Sequence, residues 1–330
     1  MKLISTQEGL IKKAKRQQKL AEYSKKAEFH CGGNLFHVGK VSYGCKSCFN
    51  NQDNNFTWGV QLGEDVGLPN VCNFACAHCF PQNTNVENCV KNNYVVPADL
   101  ELSMFAKENI KEWCRTRKRL DFFLYIFTGM ESEPLFYLPV IEEYMNFYIN
   151  ELEPIYFKRG FAKVYTNGVF LNKENIQRLI NIRIDEVRVN VAASNFSKRV
   201  YKNIEEAVKH FPTVTVEVPL WPPQREGLFK MLSIINDIGV KHLDLCQVEI
   251  WNQDSLKKIS AVLPDETEYY QVGHMMNIDD GGLYEELVKE VIDKNYNYSV
   301  IDCNALVKLV YEGKSPANDM TFEDEAFDEI

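Results

Sequence analysis

The 330-residue chain contains no apolar run approaching the roughly 18 residues that cross a bilayer as a helix. Its first residues, Met1-Lys2-Leu3-Ile4-Ser5-Thr6-Gln7-Glu8, lack the extended apolar core of a secretory signal. Both absences lead us to expect a cytoplasmic protein with no membrane partner. Positive charge is also scarce: 46 Asp and Glu outnumber 37 Lys and Arg, giving a net charge of -9. A protein that grips nucleic acid through its phosphates needs the opposite balance, so a nucleic-acid partner is disfavoured, although a local basic groove can hide inside an acidic total. No segment repeats at a solenoid period. With 45% hydrophobic residues, the chain can bury one substantial core and still carry appendages.

Cysteine is plentiful, at ten residues. In a reducing compartment, clustered thiols point to metal binding or catalysis rather than disulfides. Six lie between residues 31 and 79 in two groups, whereas Cys89, Cys114, Cys246 and Cys303 are dispersed.

Residues 7–27 read as a helix carrying Lys12, Lys13, Lys15, Arg16, Lys19, Lys25 and Lys26, either a solvated face or a contact for an acidic partner. Residues 30–55 are rich in Gly, Cys and Asn, a knuckle that needs a metal or a neighbouring domain. Beyond residue 58, short β-branched or aromatic runs alternate with amphipathic stretches. Strands are expected at Trp58–Leu62, Phe122–Phe127, Ala162–Thr166, Glu186–Val191, Thr213–Val218 and His242–Val248. Helices are expected near 102–113, 138–152, 172–182, 203–210 and 227–238. This alternation implies an α/β fold with a parallel sheet. After residue 250 the regularity fades, leaving a helix near 283–293, a strand at Tyr298–Ile301, a helix near 304–311 and an acidic tail expected to be disordered. The domains so drawn are 1–55, 56–250 and 251–330.

The chemistry concentrates in Gly67-Leu68-Pro69-Asn70-Val71-Cys72-Asn73-Phe74-Ala75-Cys76-Ala77-His78-Cys79-Phe80, a C-x3-C-x2-C loop directly after the first strand of this series. Three thiolates can hold three irons of a cubane, because soft sulfur ligands suit iron–sulfur chemistry. The fourth iron then has no protein ligand and stays open to an external molecule. Zinc is the competing occupant, but it prefers four protein ligands, and His78 sits between two cysteines where it would strain the geometry.

This loop, placed after strand one of a βα array, resembles the radical S-adenosylmethionine (radical SAM) superfamily. The resemblance covers about residues 58–250 and is nearest in layout to the branch of the pyruvate formate-lyase activating enzyme, among relatives with extra cysteines ahead of the main loop. It implies a partial (β/α)6 barrel with an N-terminal Cys-rich extension and a C-terminal α/β appendage. It further implies a 4Fe-4S cluster on Cys72, Cys76 and Cys79, with S-adenosylmethionine chelating the unique iron through its amino and carboxylate groups. Electron transfer from a reductant such as flavodoxin or ferredoxin would then release a 5′-deoxyadenosyl radical that abstracts hydrogen. The residue before the last cysteine is usually aromatic and near the adenine; here it is His78. Phe127-Thr128-Gly129-Met130-Glu131-Ser132-Glu133-Pro134-Leu135 occupies the place of the family's Gly-Gly-Glu motif, with Met130 replacing the second glycine and either Glu131 or Glu133 as the acidic member. Asn167, in Val164-Tyr165-Thr166-Asn167-Gly168, and Asn190 are candidates near the ribose and carboxylate; Asn167 equally reads as a turn former before Gly168.

Cys31, Cys45 and Cys48 form the second group, for which Cys303 is the favoured fourth ligand and His30 the near alternative. Zn2+ there would be structural, and a second 4Fe-4S cluster would relay electrons or bind substrate. Cys114 reads as core. Cys246 reads as core or as a hydrogen-atom donor to a substrate radical. Tyr269 and Tyr270 could act similarly but look like surface aromatics. Arg188 and Glu217 read as a buried ion pair or as substrate contacts.

A peptide or protein substrate fits best, making the chain a glycyl-radical activase or a peptide maturase, although the seven-cysteine extension common in maturases is missing. The same chemistry on a small metabolite or RNA base is the first alternative. A non-catalytic iron–sulfur or zinc sensor is the second, and it would require a cluster with four protein ligands.

Overall fold

Each apolar run expected as a strand between residues 58 and 248 forms one in the computed structural model. It describes residues 2–30, 35–45, 55–63, 68, 71–74, 76, 104–116, 122–129, 132–158, 160–272 and 275–303. The chain divides into two units. A terminal unit comprises Met1–Val41, Cys76–Thr84 and Val216–Ile330, and a central unit Ser42–Ala75 and Asn85–Thr215.

In the terminal unit, strand β1 (Lys2–Leu3) leads into helix α1 (Thr6–Tyr23), whose start is fixed by Ser5 accepting the Glu8 N–H at 3.1 Å. Gly9, Lys13, Gln17 and Leu20 recur at helical spacing and are buried. Lys13 lies 3.3 Å from an Asp302 oxygen, while Gln17 donates to the other at 2.7 Å. Lys12 pairs with Glu268 at 2.5 Å, and Arg16 with Asp279 and Asp280 at 3.0 and 3.4 Å. The expectation of a wholly solvated or partner-facing basic segment is therefore corrected for these three: carboxylates of the same unit neutralise them. Lys15, Lys19, Lys25 and Lys26 remain exposed. The helix ends at Tyr23, not residue 27, because Ala27 already belongs to the next strand.

One sheet of this unit contains β2 (Ala27–His30), β3 (Leu35–Val38), β13 (Ser299–Cys303) and β9 (His242–Cys246) in that order. Strand β13 is antiparallel to β3 and parallel to β9. A second sheet runs β1, β11 (Glu268–Val272), β12 (Met275–Ile278), β10 (Glu249–Ile250). The helices are α6 (Arg225–Ile238), α7 (Gln253–Ser260) and α8 (Leu283–Asp293). Residues after 250 are thus more regular than their sequence suggests. Ile250, Leu256, Ile259, Tyr269, Met276 and Ile278 share one apolar cluster. Tyr269 and Tyr270 are buried, not surface aromatics.

In the central unit, β4 (Asn55–Gln61), β5 (Phe122–Thr128), β6 (Gly160–Thr166) and β7 (Glu186–Val189) pair in parallel in chain order. All four side chains of β7 are buried, as a parallel strand covered on both faces requires. The intervening helices are α2 (Met104–Arg115), α3 (Leu138–Phe147), α4 (Lys173–Asn181) and α5 (Lys198–Ala207). Helix α3 passes into a π-helical turn at Tyr148–Leu152, so the run expected over 138–152 is not uniform. Helix α5 begins earlier than expected because Ser197 caps it by accepting the Val200 N–H at 3.3 Å. Phe123, Tyr125, Tyr148 and Phe157 build an aromatic core with ring centroids 4.4–5.9 Å apart. Cys114 is buried, as expected of a core residue. The unit boundary falls inside β8 (Thr213–Pro219), between Thr215 and Val216.

Candidate functional site

Because β4, β5 and β6 are parallel, the loops that follow them leave from one edge of the sheet, the usual place for ligands in α/β folds. The loop after β4 carries Cys72. It is fastened to the loop after β5 through both backbone groups of Val71. The Val71 N–H donates to the Tyr137 hydroxyl, and the Val71 carbonyl accepts the Glu133 N–H, each at 2.9 Å. The return of the chain from β5 requires Gly129, where a Cβ would stand 2.2 Å from the Ser132 carbonyl oxygen.

That fold-back delivers Glu133, only 2% exposed, to the end of β6. Its Oε1 accepts the Thr166 hydroxyl at 2.5 Å and the Leu135 N–H at 3.2 Å, and its Oε2 accepts the Asn167 N–H at 2.8 Å. Burial pushes the carboxyl up to about 7, against the opposing pull of these three donors.

Asn167 fills the turn-forming role expected of it. Its Oδ1 accepts the Val169 N–H at 3.1 Å, closing a turn in which Gly168 has φ +81°, a left-handed conformation suited to glycine. Its Nδ2 donates to Asn73 Oδ1 at 2.7 Å and lies 4.0 Å from Cys72 Sγ. Asn203 on α5 steadies this turn by donating to the Gly168 carbonyl at 2.8 Å.

The structure therefore brings Cys72, Glu133 and Asn167 together beside Gly129. Asn190 uses its Oδ1 to accept the Ala193 N–H at 3.1 Å, capping its own turn. Cys76 is half-buried and belongs to the terminal unit. His78, Cys79, Met130 and Glu131 lie outside the described residues, as do Cys31, Cys48, Cys89, the helix expected at 304–311 and the acidic tail.

Cys45 is buried in the central unit, its Sγ 2.8 Å from Arg188 Nη2. Arg188 donates through Nε to Glu186 Oε1 at 2.9 Å, and Thr215 donates to the same oxygen at 2.6 Å. Arg188 thus does form a buried ion pair, with Glu186. Glu217 instead accepts from Cys246 Sγ at 3.4 Å. Cys303 stands opposite Cys246 in the β13–β9 register. Contact with Cys303, then burial, holds the Cys246 thiol well above its ordinary range. Thr166, Asn73, Tyr137 and Asp244 escaped the sequence reading. Adjacency offered a signal only for the first two, Thr166 preceding Asn167 and Asn73 following Cys72.

No protein-family model and no curated protein matches the sequence. Among solved structures the chain is similar to SuiB from Streptococcus suis, determined bound to the precursor peptide SuiA. The TM-score is 0.45 and the identity 11%, over 86% of this chain and 56% of SuiB, so the chain spans little more than half the length of that protein.

Proposed function

We propose that the protein is a radical SAM enzyme acting on a peptide or protein. The observation supporting it most directly is the placement of Cys72, first cysteine of the C-x3-C-x2-C loop, against the Asn167 amide at the loop edge of a parallel sheet. The donor set fits the cofactor: three soft thiolates suit a 4Fe-4S cluster and leave one metal position for a small molecule. Cys72, Cys76 and Cys79 would hold the cluster. Gly129, Met130, Glu131, Glu133, Asn167, Asn190 and His78 are the proposed surroundings of S-adenosylmethionine. When bound, this pair supplies a 5′-deoxyadenosyl radical that abstracts hydrogen from substrate.

The chain's own contribution is positioning. Glu133 fixes the end of β6, and Asn167 directs its amide toward the Cys72 sulfur. Hydrogen bonds to cluster sulfurs tune the reduction potential, so this amide would tune that of a cluster held on Cys72. A partial (β/α)6 barrel, flanked by the N-terminal extension and C-terminal appendage, is the arrangement we propose for housing the substrate. Cys31, Cys45 and Cys48 are proposed ligands of a second metal site, Zn2+ or 4Fe-4S.

Anaerobic reconstitution followed by dithionite and S-adenosylmethionine tests this reading. The wild-type chain should yield 5′-deoxyadenosine, with about four irons bound for one cluster and about eight for two. Cys76→Ala should abolish that product; its persistence in the variant would remove the cluster assignment.

A further inference from the structure

The terminal unit holds a second constellation, independent of the radical chemistry. Cys246 and Cys303 face each other across parallel β9 and β13, each as the last residue of its strand. Asp244, two residues earlier on β9, shares the face of Cys246 and is 1% exposed. The ligand atoms of these three residues all lie within 4.8 Å of one another. Glu217 reaches the Cys246 sulfur from β8. The backbones beneath are fixed, since the Gln247 N–H donates to the Cys303 carbonyl at 3.1 Å and the Leu220 N–H to the Cys246 carbonyl at 2.8 Å. Both cysteines are only half-buried, at the carboxyl ends of parallel strands where ligands enter α/β sheets.

We propose that Asp244, Cys246 and Cys303 form a binding site for a zinc-class divalent cation, with Glu217 as fourth donor. Two sulfurs select against Mg2+ and Ca2+, which prefer all-oxygen sites, whereas zinc accepts mixed thiolate and carboxylate ligands. Bonds of about 2.3 Å to sulfur and about 2.0–2.2 Å to oxygen place neighbouring ligands roughly 3.5–4 Å apart, within about 1 Å of the observed spread. Binding converts each thiol to a thiolate and releases its proton to solvent, and the cation offsets the repulsion among four gathered anions. The assignment withdraws Cys303 from the N-terminal cysteines, whose fourth ligand must then come from elsewhere, His30 being adjacent in sequence.

Zinc K-edge absorption of the full-length, anaerobically purified chain, supplied with one equivalent of ZnCl2, tests the site without interference from iron. The expected shell contains two sulfur and two oxygen ligands. Cys246→Ser/Cys303→Ser should lose that zinc, while Cys31→Ser/Cys48→Ser should keep it. If the former variant does not fold, Asp244→Asn read by chelator competition should lower zinc affinity about tenfold or more. Zinc retention by folded Cys246→Ser/Cys303→Ser, a shell of four sulfurs, or unchanged affinity in Asp244→Asn would overturn the proposal. So would a Cys246–Cys303 disulfide in place of bound zinc. The readout is zinc and not 5′-deoxyadenosine, so its failure is separable from that of the radical reading.

Discussion

A carboxyl group gripped by three donors yet deprived of solvent feels opposing influences on its proton, and at Glu133 burial wins. Its ordinary value is 4.5 and its folded value about 7, so between these pH values the folded chain holds a proton that the unfolded chain has released. The stability from this group is fully present below about pH 4.5 and is lost as pH rises through 7, by on the order of 3 kcal/mol. Urea denaturation at pH 5 and pH 8 should show that decline in the wild type and a flatter response in Glu133→Gln; parallel responses would contradict it. Asn167 yields a second expectation at this scale. Asn167→Ala should retain iron yet form 5′-deoxyadenosine about tenfold more slowly, as losses of groups supporting metal ligands do, measured by product chromatography on iron-matched samples. The cysteine loop was visible in the sequence because its spacing is local. The contacts of Glu133 were not, since they join positions 33 and 34 residues apart.

Helix α1 shows how an element is seated by charge as well as by apolar burial. Removing one member of a buried ion pair strands the other, whereas removing both does not. Lys13→Met should cost about 3 kcal/mol or more, and Lys13→Met with Asp302→Leu distinctly less, as judged by a double-mutant cycle in guanidinium. Lys12 and Lys2 hold the Glu268 carboxyl down at about 2. This contact favours folding above pH 4.5 and is lost as pH falls toward 2, so Glu268→Gln should blunt the acid limb of the unfolding curve. Strands and helices between residues 55 and 246 were legible because their periodicities are long and strong. The short strands β2, β3, β10, β11 and β12 were not. Two to five residues carry little alternation, and these strands fall outside the regular succession of strands and helices that marked the equally short β7 and β9.

At the scale of the whole molecule, several cations of the basic helix are matched by carboxylates far away in sequence but in the same unit, a pairing that a solvated or partner-facing reading of that segment did not foresee. An α/β fold with a parallel sheet was readable from the order of strands and helices. The facing of Cys246 and Cys303, 57 residues apart in sequence, needed the sheet register. The terminal unit also joins sequence extremes: Lys2 pairs with Glu268, and His37 with Ile301. Ribosomes add about 5–20 residues each second, so the opening segment waits on the order of tens of seconds for its partners to be synthesised. During translation its apolar face is a natural client for chaperones. Protease challenge of stalled nascent chains should leave residues 2–30 and 35–41 cleavable until position 303 has emerged, and resistant afterwards.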